Sequence, residues 1–389
     1  MKIKIVNNLN KKQFSQAIKL LVKYFPAKTK RDGIDHFKFY FNNALKKKIV
    51  IALDEKSNLL GIFTLLNRKT SFFGRSLKII HMSYWVVKNQ KDFLTTKKII
   101  DAAINYVNKN SDISVQVQRK IMDHYWTRYG FVGFTNFNDF FVDENNFYEV
   151  SNLKIEKLSQ QNLVHARNLY NKYNKDQAFS FIRDKAMWKT YLKYIKKKKI
   201  DASIIKSKNK VVGYTIIHNE ILKEAAIEKG YEKSVLSLIF NSRKKNKSVK
   251  NLLIQLSSNN PIIKNLRNYS HTEKLRYVYE GGHTIRIHNT KKFLNKIRVV
   301  IQNRLKKVLN NKFELSINEF KFVWKNKKLK IILNKKKSDF FLDNKNFTKL
   351  LIGVLDPEEL FGINNKNIQF LKIMFPKTFP NLIYMDQLI

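Results

Sequence analysis

Lys78-Ile79-Ile80-His81-Met82-Ser83-Tyr84-Trp85-Val86-Val87 reads as a strand, and a polar loop leads from it into an amphipathic helix over roughly Leu94 to Lys109. A second strand follows at Ile113 to Gln118, and the stretch closes at Phe134 after Tyr125-Trp126-Thr127-Arg128-Tyr129-Gly130-Phe131. A strand-loop-helix-strand unit sets the helix N-terminus beside the end of the preceding strand. Backbone N–H groups and the helix dipole can hold an anion there, such as a pyrophosphate. The unit is a candidate cofactor site.

Working outward, Phe14, Ala17, Ile18, Leu21, Val22 and Phe25 recur at helical spacing, and Pro26 ends the run. The strands Lys48 to Asp54 and Leu59 to Leu66 form a hairpin through Glu55-Lys56-Ser57-Asn58. Residues 1–150 therefore predict helix, three strands, helix, strand, helix, strand. After Val150 the order begins again, with strand Leu153 to Leu158, helix Asn162 to Lys172 and a hairpin of Asp201 to Lys206 with Val211 to Asn219. Strand Leu222 to Glu228, helix Tyr231 to Arg243 and strand Asn251 to Ser257 complete it. Two copies of one fold are expected, over residues 1–150 and 151–285. Residues 286–389 differ: helix Thr290 to Leu309, strands Lys312 to Ile317, Glu319 to Trp324 and Lys328 to Leu333, then helical Asn346 to Val354. They predict a small α+β module.

Composition narrows the function classes. The 389 residues favour two or three domains, and 43% hydrophobic residues with 13% aromatics are ample for their cores. No apolar run is long enough for a membrane span and the N-terminus lacks a signal-peptide core, so a soluble, cytoplasmic protein is expected. Cysteine is absent, which removes disulfides, thiolate nucleophiles and cysteine-ligated zinc. With 76 Lys plus Arg against 30 Asp plus Glu the formal net charge is +46, which raises the question of nucleic acid. The lysines are spread through every segment, with short runs at Lys196 to Lys199, Arg243 to Lys247 and Lys335 to Lys337. That spread points to a solvated basic surface, and a preference for anionic substrates or partners is compatible with it.

The whole plan resembles the tandem-GNAT acetyltransferases of the enhanced-intracellular-survival type. There, two GNAT-like mixed-sheet α/β domains, the second degenerate, precede a sterol-carrier-like α+β domain. The resemblance rests on five features in order: Tyr125 to Phe131, Gly213-Tyr214, Thr284-Ile285-Arg286-Ile287, Leu351-Ile352-Gly353-Val354-Leu355-Asp356-Pro357-Glu358-Glu359-Leu360, and the ending Leu371 to Ile389. It implies a cytoplasmic, acyl-CoA-dependent N-acyltransferase in which an amine-bearing acceptor attacks acetyl-CoA directly, and it makes a homo-oligomer an expectation. The backbone at Val86 and Val87 would polarise the thioester carbonyl. Lys88, Lys91, Thr95, Thr96 and Lys97 would hold the pyrophosphate at the helix start, with Thr95 or Thr96 as its cap. The carboxylate of Ile389 would be the base, and the acid position falls on Trp126, with Tyr125 beside it.

Two positions depart from that family. Its pyrophosphate loop carries glycines where this chain has Leu94 and Thr96, and Asp92 adds an unfavourable negative charge nearby. Trp126 offers an indole N–H and cannot act as an acid, while Tyr125 on extended backbone would face the other way. A second reading is therefore a non-catalytic descendant that keeps the fold for binding or assembly, and a third is a basic nucleic-acid-binding protein. Of the eight histidines, His283 and His288 stand i, i+5 without a metal-ligand pattern, so no metal is expected. No phosphate-binding Walker loop or nucleophile elbow is present.

Overall fold

The computed structural model describes residues 1–25, 27, 29–117, 123–134, 138–143, 147–148, 150–244, 251–257, 260–268, 271–275, 283–309, 312–334, 336–362 and 367–378. The chain starts with strand β1 (Lys2–Val6), α1 (Lys11–Tyr24) and α2 (Lys30–Asn43). Asn10 opens α1 with a reciprocal capping box to Gln13, and Thr29 caps α2. Ala17, Ile18 and Leu21 of α1 and Phe37, Tyr40 and Phe41 of α2 bury one face of the sheet that follows. β1 and α2 are additions to the order read from the sequence. Gly33 and the aromatics of α2 are weak helix formers, and packing of Phe37 and Phe41 overrides that local preference.

β2 (Lys47–Leu53), β3 (Leu59–Phe72) and β4 (Arg75–Val87) form an antiparallel meander, and α3 (Phe93–Asn110) crosses over to β5 (Ile113–Val117), which is parallel to β4. A short helix α4 (Asp123–Arg128) leads to β6 (Val132–Phe134). Ile99, Ile100, Ala103, Ile104 and Val107 of α3 bury the other face of the sheet with Val50, Phe63, Ile80 and Met82.

The next strand, β7 (Asn138–Asp143), pairs into a second sheet. β8 (Leu153–Lys157), α5 (Leu163–Asn174), β9 (Ala178–Phe181), α6 (Lys185–Lys197), β10 (Asp201–Ser207), β11 (Lys210–His218), β12 (Ile221–Ile227), α7 (Glu232–Lys244), β13 (Asn251–Ile254), α8 (Pro261–Leu266), β14 (His271–Leu275) and β15 (His283–Ile287) follow. The second sheet runs β14-β7-β13-β12-β11-β10-β8. The first runs β1-β2-β3-β4-β5-β15-β6, with β9 added beside β3. β7 (138–143) thus pairs in the second sheet and β15 (283–287) in the first, so neither sheet is built from one continuous stretch of chain.

The last segment holds α9 (Thr290–Val308), the meander β16 (Phe313–Ile317), β17 (Phe320–Lys325) and β18 (Lys328–Leu333), then α10 (Asn344–Leu351), α11 (Pro357–Phe361) and α12 (Ile368–Met374). Its core is continuous with the first sheet: Phe293, Leu294 and Ile297 of α9 pack with Leu77, Ile79, Val115 and Ile285. The buried Asp112 carboxylate fixes that junction, accepting from the Lys78 amide at 2.8 Å and from Lys296 at 2.6 Å. Among the described residues, no helix is long and apolar enough to cross a membrane.

Candidate functional site

Among the described residues, parallel pairing joins Ile79 to Ile113, Ile80 to Ser114, His81 to Val115 and Met82 to Gln116, while β4 continues to Val87 along β3. Between Ser83, opposite Thr64, and Val86, opposite Ile62, β4 holds one more residue than its partner. Tyr84 takes up the excess at φ 48°, a left-handed conformation that costs a tyrosine about 1–3 kcal/mol. Packing holds it there: the ring lies edge-on to Phe25, Phe37 and Tyr40, and the hydroxyl is 2.8 Å from His36 Nε2. A bulge bends the strand that carries it, so the last residues of β4 change direction at Tyr84.

Lys88 N donates to Leu60 O at 2.7 Å. Amides alternate along a strand, so the Val86 N–H also turns to β3 and the Val87 N–H points away from it. Gly61, opposite Val87, lets α3 lie directly on the strand, since a Cβ there would sit 2.5 Å from Ile99 Cδ1. Two polar groups on these strands are buried without a hydrogen-bond partner, Trp85 Nε1 on β4 and Gln116 Nε2 on β5. Both are donors.

The start of α3 is closed. Asp92, read from the sequence as an unfavourable neighbour, is the N-cap: its Oδ1 accepts from Thr95 N at 2.9 Å and its Oδ2 from Thr95 Oγ1 at 2.6 Å. The Leu94 amide also bonds to this carboxylate, Phe93 N donates to Lys91 O at 3.1 Å, and Asp92 N donates to Asn89 O at 3.0 Å. Every amide that a helix start leaves unpaired is thereby satisfied within the chain. The Thr95 hydroxyl, and then the Thr95 and Leu94 amides, hold the Asp92 carboxyl below the usual carboxylate range. Thr95 is buried on its cap rather than being the cap, Thr96 is half-buried, and Lys88 and Lys91 are exposed. Lys97 pairs with Asp101 at 2.6 Å.

The expectation that Tyr125 and Trp126 lie on extended backbone fails, because both sit on α4, where successive side chains are about 100° apart. Trp126 is buried against Phe63, Phe131 and Trp85. Tyr125 is half-buried and stacks on Trp85, 6.3 Å between centroids and 8° between planes, bridging the end of β4 to the helix that follows β5. Its phenol bonds to Tyr129, which in turn donates to Asp101 at 3.2 Å. Burial first, and then Tyr129, pushes the Tyr125 phenol well up, so it stays protonated at neutral pH.

Sequence reasoning missed His36, Tyr84, Trp85, Gln116 and the capping role of Asp92. The cap had a legible signal in Asp92-x-x-Thr95 before an apolar run. His36 lies on an unexpected helix, where burial and then Lys198 and Lys197 push it down to about 4, so its imidazole is neutral at pH 7. Ile389 lies outside the described residues.

Neither a protein-family model nor a curated protein matches this chain. Solved structures do. A probable N-acyltransferase of unknown function from Enterococcus faecalis V583 matches with a TM-score of 0.71 at 12% identity, over 98% of each chain. A GCN5-related N-acetyltransferase from Anabaena variabilis ATCC 29413 matches at 0.69 with 13% identity, again over 98% of each. Eis1 from Mycobacterium abscessus matches at 0.66 with 9% identity, over 99% of this chain and 100% of its own. The fold is that of the GNAT acetyltransferases. The likeness extends over the whole mixed α/β architecture, including the segments after Val150.

Proposed function

We propose that this chain is an N-acyltransferase that passes an acyl group from a thioester to an amine. The bulge at Tyr84 carries the reading, because it turns the end of β4 and leaves the Val87 N–H pointing away from β3, with Trp85 Nε1 on the same strand and Gln116 Nε2 on β5 as buried donors that have no partner. A thioester carbonyl seated there gains a hydrogen bond that strengthens as its oxygen becomes negative. The two side-chain donors suit the amide carbonyls of a pantetheine arm. The amine nitrogen bonds to the carbonyl carbon, the carbon–sulfur bond breaks, and the proton lost by the amine ends on the departing thiol. The protonated Tyr125 phenol is the proposed acid and the Ile389 carboxylate the proposed base; residues 1–150 are the proposed acyl-transfer unit, with 151–285 its degenerate copy and 286–389 the sterol-carrier-like unit.

Acetyl-CoA as a whole does not fit these residues. The pantetheine end finds donors, but its pyrophosphate meets helix amides already bound to Asp92 and a carboxylate that repels it. Acetyl-pantetheine, which has no phosphate, therefore tests the reading directly. Incubated with the full chain and a panel of primary amines, it should give the amide at least about 100-fold faster than without protein, as expected when proximity and carbonyl polarisation act together. Absence of acceleration with every acyl thioester supplied refutes it. The closed helix start and Trp126 favour a second reading, a GNAT-fold binding protein without turnover; saturable pantetheine binding with no amide formed would select it.

A further inference from the structure

We propose that the acyl donor is a phosphopantetheine thioester on an acidic carrier protein, which docks at the start of α3. The proposal rests on the acyl-transfer reading and names its donor. A carrier-bound arm presents pantetheine without an adenosine pyrophosphate, which is the portion that finds donors here and lacks the portion that Asp92 excludes.

The surface at the start of α3 has the character of a docking face. Phe93 and Leu94 are 81% and 60% exposed, on the first turn of a helix whose other apolar side chains are largely buried. Met1 is 41% exposed next to them, its sulfur 3.0 Å from Thr95 Oγ1. Lys88, Lys91 and Lys98 lie within six residues of Phe93 and Leu94 along the chain and are exposed. The acids within that stretch are engaged elsewhere, Asp92 by helix amides and Asp101 by Lys97 and Tyr129. An apolar centre flanked in the chain by cations complements an acidic partner with an apolar contact, and the net charge of +46 speeds its approach. In the chain, only the short loop 88–92 separates Phe93 and Leu94 from the Val87 amide, so the proposed docking face and the proposed thioester site are neighbours in sequence.

In the transfer, the amine nitrogen bonds to the acyl carbon, the thioester carbon–sulfur bond breaks, and the carrier leaves as its free thiol; no redox partner is needed. The test uses the full chain with a purified bacterial acyl carrier protein in apo, holo and acetyl forms, measured by calorimetry and by amide formation. Holo carrier should bind at least about 10-fold more tightly than desulfo-CoA, and binding should weaken steeply as salt rises from 50 to about 300 mM. Phe93→Glu and Leu94→Glu, both on exposed positions, should cut carrier binding at least about 10-fold and leave transfer from acetyl-pantetheine unchanged. Desulfo-CoA binding as well as the carrier, or carrier binding indifferent to both substitutions, overturns the proposal. Failure of every thioester to give amide, with carrier binding intact and sensitive to Phe93→Glu, overturns the acyl-transfer reading instead.

Discussion

Removing one partner of the buried Arg183–Glu224 pair should be among the most damaging single changes in this protein. Glu224 lies on β12, which holds in the second sheet the place that β4 holds in the first, and it is 2% exposed. Its two oxygens accept from Arg183 at 2.6 and 2.8 Å, from Tyr214 at 2.6 Å and from Tyr191 at 2.7 Å. The guanidinium is also covered by the rings of Tyr170, Tyr191 and Trp188, 4.2 to 4.9 Å from its carbon. Burial by itself pushes the Glu224 carboxyl up, but the Arg183 charge and the hydrogen bonds hold it below the ordinary carboxylate range. Glu224→Gln keeps the shape and leaves an uncompensated buried cation, a change that costs about 3–5 kcal/mol. Arg183→Met should cost a similar amount, and the double variant less than the sum, because no charge is then left without its partner. Urea unfolding, with hydrogen exchange on β11 and β12 to localise the loss, reads all three. A loss under about 1 kcal/mol in Glu224→Gln would refute the reasoning.

Other perturbations follow from the same geometry. Gly61→Ala places a Cβ 2.9 Å from Val87 Cγ1 and 3.1 Å from Val86 O, so it should destabilise by about 1–3 kcal/mol and reduce acyl transfer by moving the Val87 amide, as denaturation and turnover would show. Gly353 sits at φ 77° with Thr378 Oγ1 2.2 Å from where a Cβ would be, and Gly353→Ala should lower the thermal midpoint while Gly230→Ala, with open space around it, costs less. Burial pushes His81, His283 and His288 down to about 3 and His36 to about 4. The unfolded chain takes up protons first as pH falls through about 6.5, so stability is full above that pH and declines towards 4 by about 1.4 kcal/mol per pH unit for each proton; a urea midpoint unchanged from pH 7 to pH 5 would contradict it. Tyr125→Phe should slow transfer by about 100-fold or more if the phenol delivers the proton, and an unchanged turnover number removes it from that role.

Much of the architecture is legible in local patterns. Helical spacing in 14–25 and 94–109 and the apolar runs of the three meanders place α1, α3, β2, β4, β10 to β12 and β16 to β18 within a few residues of their observed bounds, while β3 runs on past Leu66 to Phe72. α6 escaped because Lys185–Lys197 is rich in lysine and aromatics, and its stripe of Trp188, Tyr191, Leu192 and Ile195 has meaning only against the sheet it covers. At the candidate site, Val87, Tyr125 and the start of α3 were found from order along the chain, whereas the state of each was not. A missing glycine shows that backbone cannot approach a phosphate; it does not show that Asp92 takes the phosphate's place.

The sequence by itself determined most of the helices and meander strands and their order along the chain, because periods of 2 and 3.6 residues and capping patterns are written locally. Tertiary structure alone decided that β15 enters the first sheet between β5 and β6, that β7 pairs in the second, and that Trp85 stacks on Tyr125. Those pairings join residues far apart in the chain, and the free energy that selects them comes from apolar surface buried between strands and helices that no window of the sequence contains.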